Sequence, residues 1–341
     1  MKTKILIISI LLSSFLFSCE QVFLKAPPAT DPESVFEQVW KFANEKYTFF
    51  EYKKIDWNAL KVKYKSRINK SMDEEELFKV CSDMLYELKD EHVNLQSKFN
   101  VSRNPEVFLD FPTNYDGDNL TRNYFKGGVQ YLDGGNFRLY DFNDVLYVNY
   151  NSFINPVTKE AMDYICNKAQ SKKGMILDVR QNGGGAVNYI YSITSRFVDK
   201  KTFAGMEYIK TGPKTTDLKP DSLFIKPYKA DTVVHKYTTK PIIVLTNRGC
   251  YSATNFFAMM VKEIPNITVI GGKTGGGGGI PATTELSNGW ILRVSSSSTI
   301  DIYGNNIEGG VDPDQRVDIS AQDKNQGRDT ILEAALNLIR K

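Results

Sequence analysis

Two stretches of this chain share one pattern, GMILDVRQNGGGAVNY at residues 174–189 and PIIVLTNRGCYSATNFFAMMVK at residues 241–262. Each opens with a wholly apolar run too short for a helix. A turn containing glycine follows, and then apolar residues at helical spacing. A strand without polar alternation is buried on both faces, as in a parallel sheet covered by helices. Further units flank these two. TKEAMDYICNKAQSKK (158–173) reads as a helix, ITVIGG (267–272) as a strand and DTILEAALNLIRK (329–341) as a closing helix. Strand and helix in alternation predict an α/β fold with a largely parallel sheet. Ahead of it, VQYLDGGNFRLYDFNDVLYVNYNSF (129–153) carries two or three short strands with a Gly-Gly hairpin at 134–135. Residues 201–240 read as irregular, and further strands are expected up to about residue 298.

The first hundred residues have a different character. In DPESVFEQVWKFANEKY, Asp31 is placed to cap a helix and Pro32 to occupy its first turn, with Val35, Val39, Trp40 and Phe42 on one face. A second helix is expected through SMDEEELFKVCSDMLYELKDEH, with Ser71 and Glu74 as a capping box and His92 at its end. Its stripe is Leu77, Val80, Cys81, Met84, Leu85 and Leu88. The expected organisation is a leader at 1–18, a tether at 19–30, a small helical subdomain at 31–100 and an α/β domain at 101–341.

The leader, MKTKILIISILLSSFLFSCEQ, has a basic start, a short apolar run and small residues. Its ending LFSC resembles a bacterial lipobox, which implies cleavage before Cys19 and lipid attachment there. That makes the protein an exported lipoprotein of the outer membrane, facing the periplasm or the cell surface and held to the membrane by the N-terminal lipid. The chain has 43 Lys and Arg against 40 Asp and Glu, and two of the lysines lie in the leader. The rest is almost neutral, which argues against a nucleic-acid partner. Cys81, Cys166 and Cys250 are read as unpaired apolar residues. No Cys/His cluster has metal-ligand spacing, so neither a metal nor a cofactor is expected.

Three features could carry chemistry. Ser252 stands at the mouth of a helix, where a serine usually caps but where free N–H groups would also favour an oxyanion. Gly183, Gly184 and Gly185 follow a buried strand and can present backbone N–H groups to a ligand, although the dinucleotide and phosphate-loop spacings are absent. His92 follows a clear apolar stripe and, taken singly, is most simply a partner of the helix dipole.

Together these blocks resemble the serine peptidase family of carboxy-terminal processing (tail-specific) and tricorn-type proteases. ELKDEHVNL is similar to the family's L-x-D-x-H-x-x-L block, and LYVNYNSF with MILDVRQNGGG to its strand and D-[LV]-R-x-N-x-G-G block. VLTNRGCYSATNF is similar to the nucleophile block; VIGGKTGGGGG and IEGGVDPDQRV are similar to the closing blocks. Each is weak alone; their order along residues 35–320 is specific. The resemblance implies a crotonase/ClpP-like core and a serine endopeptidase acting on peptides or unfolded polypeptides. In carboxy-terminal processing proteases the base is a lysine just after T-x-G, a position held here by Gly277, with Lys273 on the other side of the turn. The tricorn style uses a histidine and a glutamate, and it implies Ser252, His92 and Glu308 as the catalytic set. Glu308 would orient the imidazole, directly or through a bridging hydroxyl. Ala253 and Gly184 would supply the oxyanion hole.

Asn255 departs from the glutamate common after S-A-x. Cys250 stands where the family often has threonine and is read as packing, and His235 is given no role. The interval between His92 and LYVNY is too short for the PDZ module of many relatives, so none is expected. Two other readings stay open: a catalytically silent relative that binds peptides or apolar ligands in the same cleft, and a crotonase-like acyl-CoA enzyme, which the absence of an adenine-phosphate pattern disfavours.

Overall fold

A computed structural model describes residues 29–104, 111–229, 236–237 and 239–341. The leader, the lipobox with Cys19, and His235 lie outside the described residues. The chain begins with α1 (Pro32–Lys46), α2 (Trp57–Lys65) and α3 (Glu74–Tyr86), and passes into a short strand, β1 (Asn94–Gln96). Asp31 caps α1 as its sequence suggests, accepting from the Ser34 N–H. The capping box of α3 is formed by Asp73 and Glu76 rather than by Ser71 and Glu74. The helix starts two residues later than expected, because Asp73 accepts from the Glu76 N–H at 2.8 Å while Glu76 returns a bond to the Asp73 N–H. It also ends earlier, at Tyr86. Lys89 takes a positive φ of 46°, and His92 therefore sits in a turn and not at a helix end.

The main sheet has seven strands in the order β13-β9-β8-β5-β4-β3-β2. They are β2 (Gln130–Leu132), β3 (Phe137–Asp141), β4 (Val145–Tyr150), β5 (Gly174–Asp178), β8 (Ile242–Thr246), β9 (Ile267–Gly271) and β13 (Gln315–Arg316). From β4 through β13 the pairings are parallel; β2 and β3 add an antiparallel edge. Every residue of β4, β5 and β8 is buried. One face is covered by α4 (Lys159–Gln170), α5 (Asn188–Thr194) and α6 (Ala253–Val261), the other by α7 (Thr330–Arg340).

Residues 201–240, read as irregular, contain a long hairpin, β6 (Thr202–Lys210) and β7 (Leu218–Ile225). β7 is an exposed edge strand bearing Lys219, Pro220 and Asp221, so it has no apolar alternation to reveal it. β12 (Ser297–Ile300) pairs with β6. The helical unit is not closed by its own sequence. A hairpin of β10 (Pro281–Glu285) and β11 (Ile291–Ser295) pairs with β1, and its Leu286, Trp290, Leu292 and Val294 join the core of α1–α3. The chain thus returns, near its C-terminal third, to complete its N-terminal layer.

One buried ionic cluster ties the end of β5 to α7. The Arg180 guanidinium donates to Asp178 Oδ2 at 2.7 Å, to Asp329 Oδ2 at 2.9 Å and to the Asn114 carbonyl at 3.1 Å. Tyr147 donates its hydroxyl proton to the same Asp178, and Asp329 also caps α7. Removing one member strands its partners in a medium that cannot solvate them. Arg180→Met is expected to lower stability by about 3–5 kcal/mol in urea unfolding, and a loss below about 1 kcal/mol would show that the cluster is not braced in this way.

Candidate active site

The turn from β8 into α6 is built by buried polar bonds. Asn247 accepts from the N–H groups of Gln181 and Gly249, and its amide donates to the Thr113 carbonyl. Ser252 ends this turn with φ 54° and ψ −122°, a conformation that L-residues seldom adopt. Such a residue stores about 1–3 kcal/mol of strain and persists only where its surroundings enforce it. Its N–H donates to the Gly276 carbonyl at 3.0 Å, and its carbonyl accepts from Phe256 in the first turn of α6. Although Ser252 occupies the N-cap position, its side chain makes no capping bond. Ser252 Oγ lies instead 2.9 Å from His92 Nε2, across 160 residues of chain.

His92 is held from the helical unit. Its backbone N–H donates to Asp90 Oδ1 at 2.8 Å, and Asp90 also accepts from the Ser295 hydroxyl. Burial lowers the imidazole pKa to about 4; Asp90 opposes that shift, and Arg293 and Lys53 add to it. The ring is therefore neutral at ordinary pH and able to accept a proton. The Tyr251 ring stands against it, centroid to centroid 5.0 Å. His92 Nδ1 is buried and has no hydrogen-bond partner among the described residues, although the neighbouring Gly279 backbone favours the protonated ring.

Glu308 comes to the same cluster, but its bonds go elsewhere. Glu308 Oε1 pairs with the Lys53 ammonium at 2.7 Å, and Oε2 accepts from the Gly278 N–H at 2.9 Å. Burial pushes the pKa of Glu308 up, as does the Asp90 carboxylate, against the pull of Lys53. Lys53 also donates to the carbonyls of Leu88 and Lys89, the segment leading to His92. Neither Lys53 nor Asp90 was singled out from the sequence. Asp90 stood in view in the D-x-H block, whereas Lys53 has no local signal, lying between helices in an ordinary polar stretch.

The glycines have distinct jobs. Gly184 has φ 96°, and a Cβ there would come within 2.6 Å of the Tyr251 carbonyl and 2.8 Å of the Ala253 nitrogen. The loop thus lies directly on the turn that carries Ser252. The Gly184 N–H donates to Asn182 Oδ1 at 3.0 Å, so it is already engaged, whereas no bond from the Ala253 N–H is seen among the described residues. Asn182 Oδ1 accepts from Thr254 as well, and the Asn182 carbonyl accepts from the Tyr251 N–H. Gly277, at the position of the lysine of carboxy-terminal processing proteases, has φ 76°, and a Cβ there would meet the Tyr251 ring at 2.6 Å. The Tyr251 ring thus closes the space beside Gly277. Lys273 points away, half exposed and paired with Asp312 at 3.3 Å. Cys250 is fully buried with its thiol pushed up to about 12 by burial, which removes it as a rival nucleophile. Asn255 bridges Thr274 and the Ile307 carbonyl, fixing α6 to the segment that carries Glu308.

Gly184→Ala introduces a methyl group where backbone atoms already stand and forces an L-residue to positive φ. We expect a loss of at least about 2 kcal/mol in thermal or urea unfolding, together with loss of any activity of the Ser252 cleft. Wild-type stability in this variant would show that the loop does not lie so close.

Comparison with known proteins shows the family. The profile described as Peptidase family S41 matches residues 144–317, and that of the Tricorn protease C1 domain matches residues 28–86. The carboxy-terminal processing protease CtpA of Bacillus subtilis is 28% identical over 180 residues, 52% of this chain and 36% of that protein. The carboxy-terminal-processing protease of Bartonella bacilliformis is 30% identical over 163 residues, 47% of this chain and 34% of that one. This chain therefore spans about a third of the length of the curated relatives it matches. A solved structure from Parabacteroides merdae superimposes with a TM-score of 0.83 at 35% identity, covering 91% of this chain and 97% of that one. With the profile spanning half of its length, the chain belongs to peptidase family S41.

Proposed function

We propose that this protein is a serine peptidase that cleaves peptide or unfolded protein substrates with Ser252 as nucleophile and His92 as general base. The observation that carries this reading is the orientation of Ser252. A serine at a helix start normally spends its hydroxyl on capping; here the backbone is strained and the hydroxyl faces a buried, neutral imidazole 2.9 Å away. His92 takes the hydroxyl proton as Oγ attacks the peptide carbonyl, and returns it to the leaving amine. The Ala253 N–H faces the developing oxyanion, with the Gly184 N–H sharing itself between Asn182 Oδ1 and the substrate oxygen. Glu308 acts on the base at one remove. Its carboxylate fixes Gly278, whose neighbour Gly279 favours the charged ring, and fixes Lys53, which binds the segment leading into His92.

We also propose that Cys19 is the acylated first residue of an exported, outer-membrane lipoprotein. That reading rests on the sequence LFSC; among the described residues no helix is long and apolar enough to cross a membrane.

Digestion of a broad peptide library, read by mass spectrometry, tests the mechanism. Ser252→Ala and His92→Ala are expected to lose several orders of magnitude in kcat/KM, and Lys273→Ala to stay within about tenfold of wild type. The pH profile adds a second check. Activity should rise with pH as His92 loses its proton, with its acid limb at about 4 and well below the ordinary imidazole value of 6.5. A dead Lys273→Ala with a live His92→Ala would overturn the assignment of the base, and an inert wild type would favour a peptide-binding role. For the anchor, Cys19→Ala or globomycin should release the protein from the membrane fraction; unchanged association would exclude lipidation at Cys19.

A further inference from the structure

The cleft in front of Ser252 has a volume of about 410 Å³, and two arginines, Arg103 and Arg293, line it beside Ser252 and His92. Arg293 lies on β11 directly opposite Asn94 of β1. Side chains alternate along a strand. Leu292 and Val294, on either side of Arg293, are buried in the core of the helical unit together with Leu95. Arg293 and Asn94 are consequently sent to the other face, into the cleft.

The guanidinium is costly to place there. Arg293 is half-buried, and among the described residues it has neither an ion pair nor a side-chain hydrogen bond. Its charge also works against the base, since it adds to the lowering of the His92 pKa. The other charges in the cleft do not compensate it. Glu91 lines the same wall, but the cation acting most strongly on its carboxyl is Arg103. Asp90 acts on Arg293 electrostatically, yet its carboxylate oxygens are taken by the His92 N–H and the Ser295 hydroxyl, with Lys53 3.8 Å away. A partly desolvated guanidinium with its planar fork open to a substrate cleft matches a carboxylate.

We propose that Arg293 is a specificity-determining residue that binds a carboxylate of the peptide substrate next to the bond attacked by Ser252. The proposal rests on the reading of this cleft as a peptidase site and narrows its substrate class to peptides carrying an anion near the scissile bond. The same chemistry can come from the free C-terminus or from an Asp or Glu side chain. A terminal carboxylate held there would make the enzyme remove short C-terminal fragments; a side-chain carboxylate would make it select acidic positions within a chain.

The test uses peptides cleaved by the wild-type protein, each made in three forms: the parent acid, the C-terminal amide, and the parent with Asp and Glu replaced by Asn and Gln. The ratio of kcat/KM between acid and neutral forms is expected to be at least about tenfold, the size of one charge-assisted contact, for whichever carboxylate is bound. Arg293→Met should bring that ratio close to one, Arg293→Lys should retain part of it, and Arg103→Ala should preserve it. Binding of the same peptides to Ser252→Ala, with and without Arg293→Met, reads the subsite without turnover. Discrimination in binding with an inert wild type would sink the peptidase reading and leave the carboxylate subsite standing. Equal handling of acid and neutral forms by cleavage and by binding would overturn the proposal, as would a ratio that Arg293→Met leaves intact or that Arg103→Ala abolishes.

Discussion

The site exists because three backbone segments run closer together than side chains allow. The turn at 250–253 touches the loop at 182–185 on one side and the glycine run at 275–279 on the other through main-chain atoms. A Cβ at Gly184 would strike the Ser252 turn, one at Gly276 would lie 2.1 Å from the Glu308 carbonyl, and one at Gly278 would lie 2.5 Å from the Glu308 nitrogen. Here glycine gives close approach as much as conformational freedom. The bonds that follow, from Ser252 N–H to Gly276 and from Gly275 N–H to Cys250, hold Ser252 in its strained geometry. The strain is thus compensated by a lattice of buried hydrogen bonds, in which Asn182, Asn247 and Asn255 supply the side-chain members.

The second constraint is electrostatic. His92, Asp90, Glu308 and Lys53 lie in a largely buried cluster, where unpaired charge is expensive. Lys53 answers both carboxylates, at 2.7 Å from Glu308 and 3.8 Å from Asp90. Burial keeps the imidazole neutral, and it also pushes the Glu308 carboxyl up against the pull of Lys53. A neutral imidazole with a low pKa is a weaker base than a free one, yet it is fully available near neutral pH and needs no deprotonation step. A lysine base would need a desolvated amine beside Ser252, and the Tyr251 ring fills the place from which one would reach it.

His92 and Ser252 come from different layers. Ser252 is carried by the parallel sheet and α6, His92 by the turn between α3 and β1. The β10–β11 hairpin joins these layers, pairing with β1 on one side and lending four apolar residues to the helical core. Arg293 sits on that hairpin, so the element that closes the helical unit also shapes the cleft wall.

What the sequence determined by itself is the local order. Wholly apolar runs before glycine turns can only be buried strands entering helices, and this pattern located β5, β8, the glycine loop and Ser252 at the mouth of α6. Asp31 and Pro32 marked the start of α1 because capping is a contact between near neighbours. The order of five weak blocks brought Ser252, His92 and Glu308 into consideration together. Tertiary structure decided what depends on contacts distant in the chain. The β6–β7 hairpin was hidden because an exposed edge strand needs no apolar alternation, and the β10–β11 hairpin belongs to the helical core only through packing. The bond between Ser252 and His92 spans 160 residues, and the direction of the serine hydroxyl depends on a backbone conformation that no side-chain pattern encodes. Glu308 turned to Lys53 and Gly278, not to the imidazole, because a buried carboxylate takes the nearest strong donors, and a lysine between two helices gives no sign in the sequence that it will be one of them.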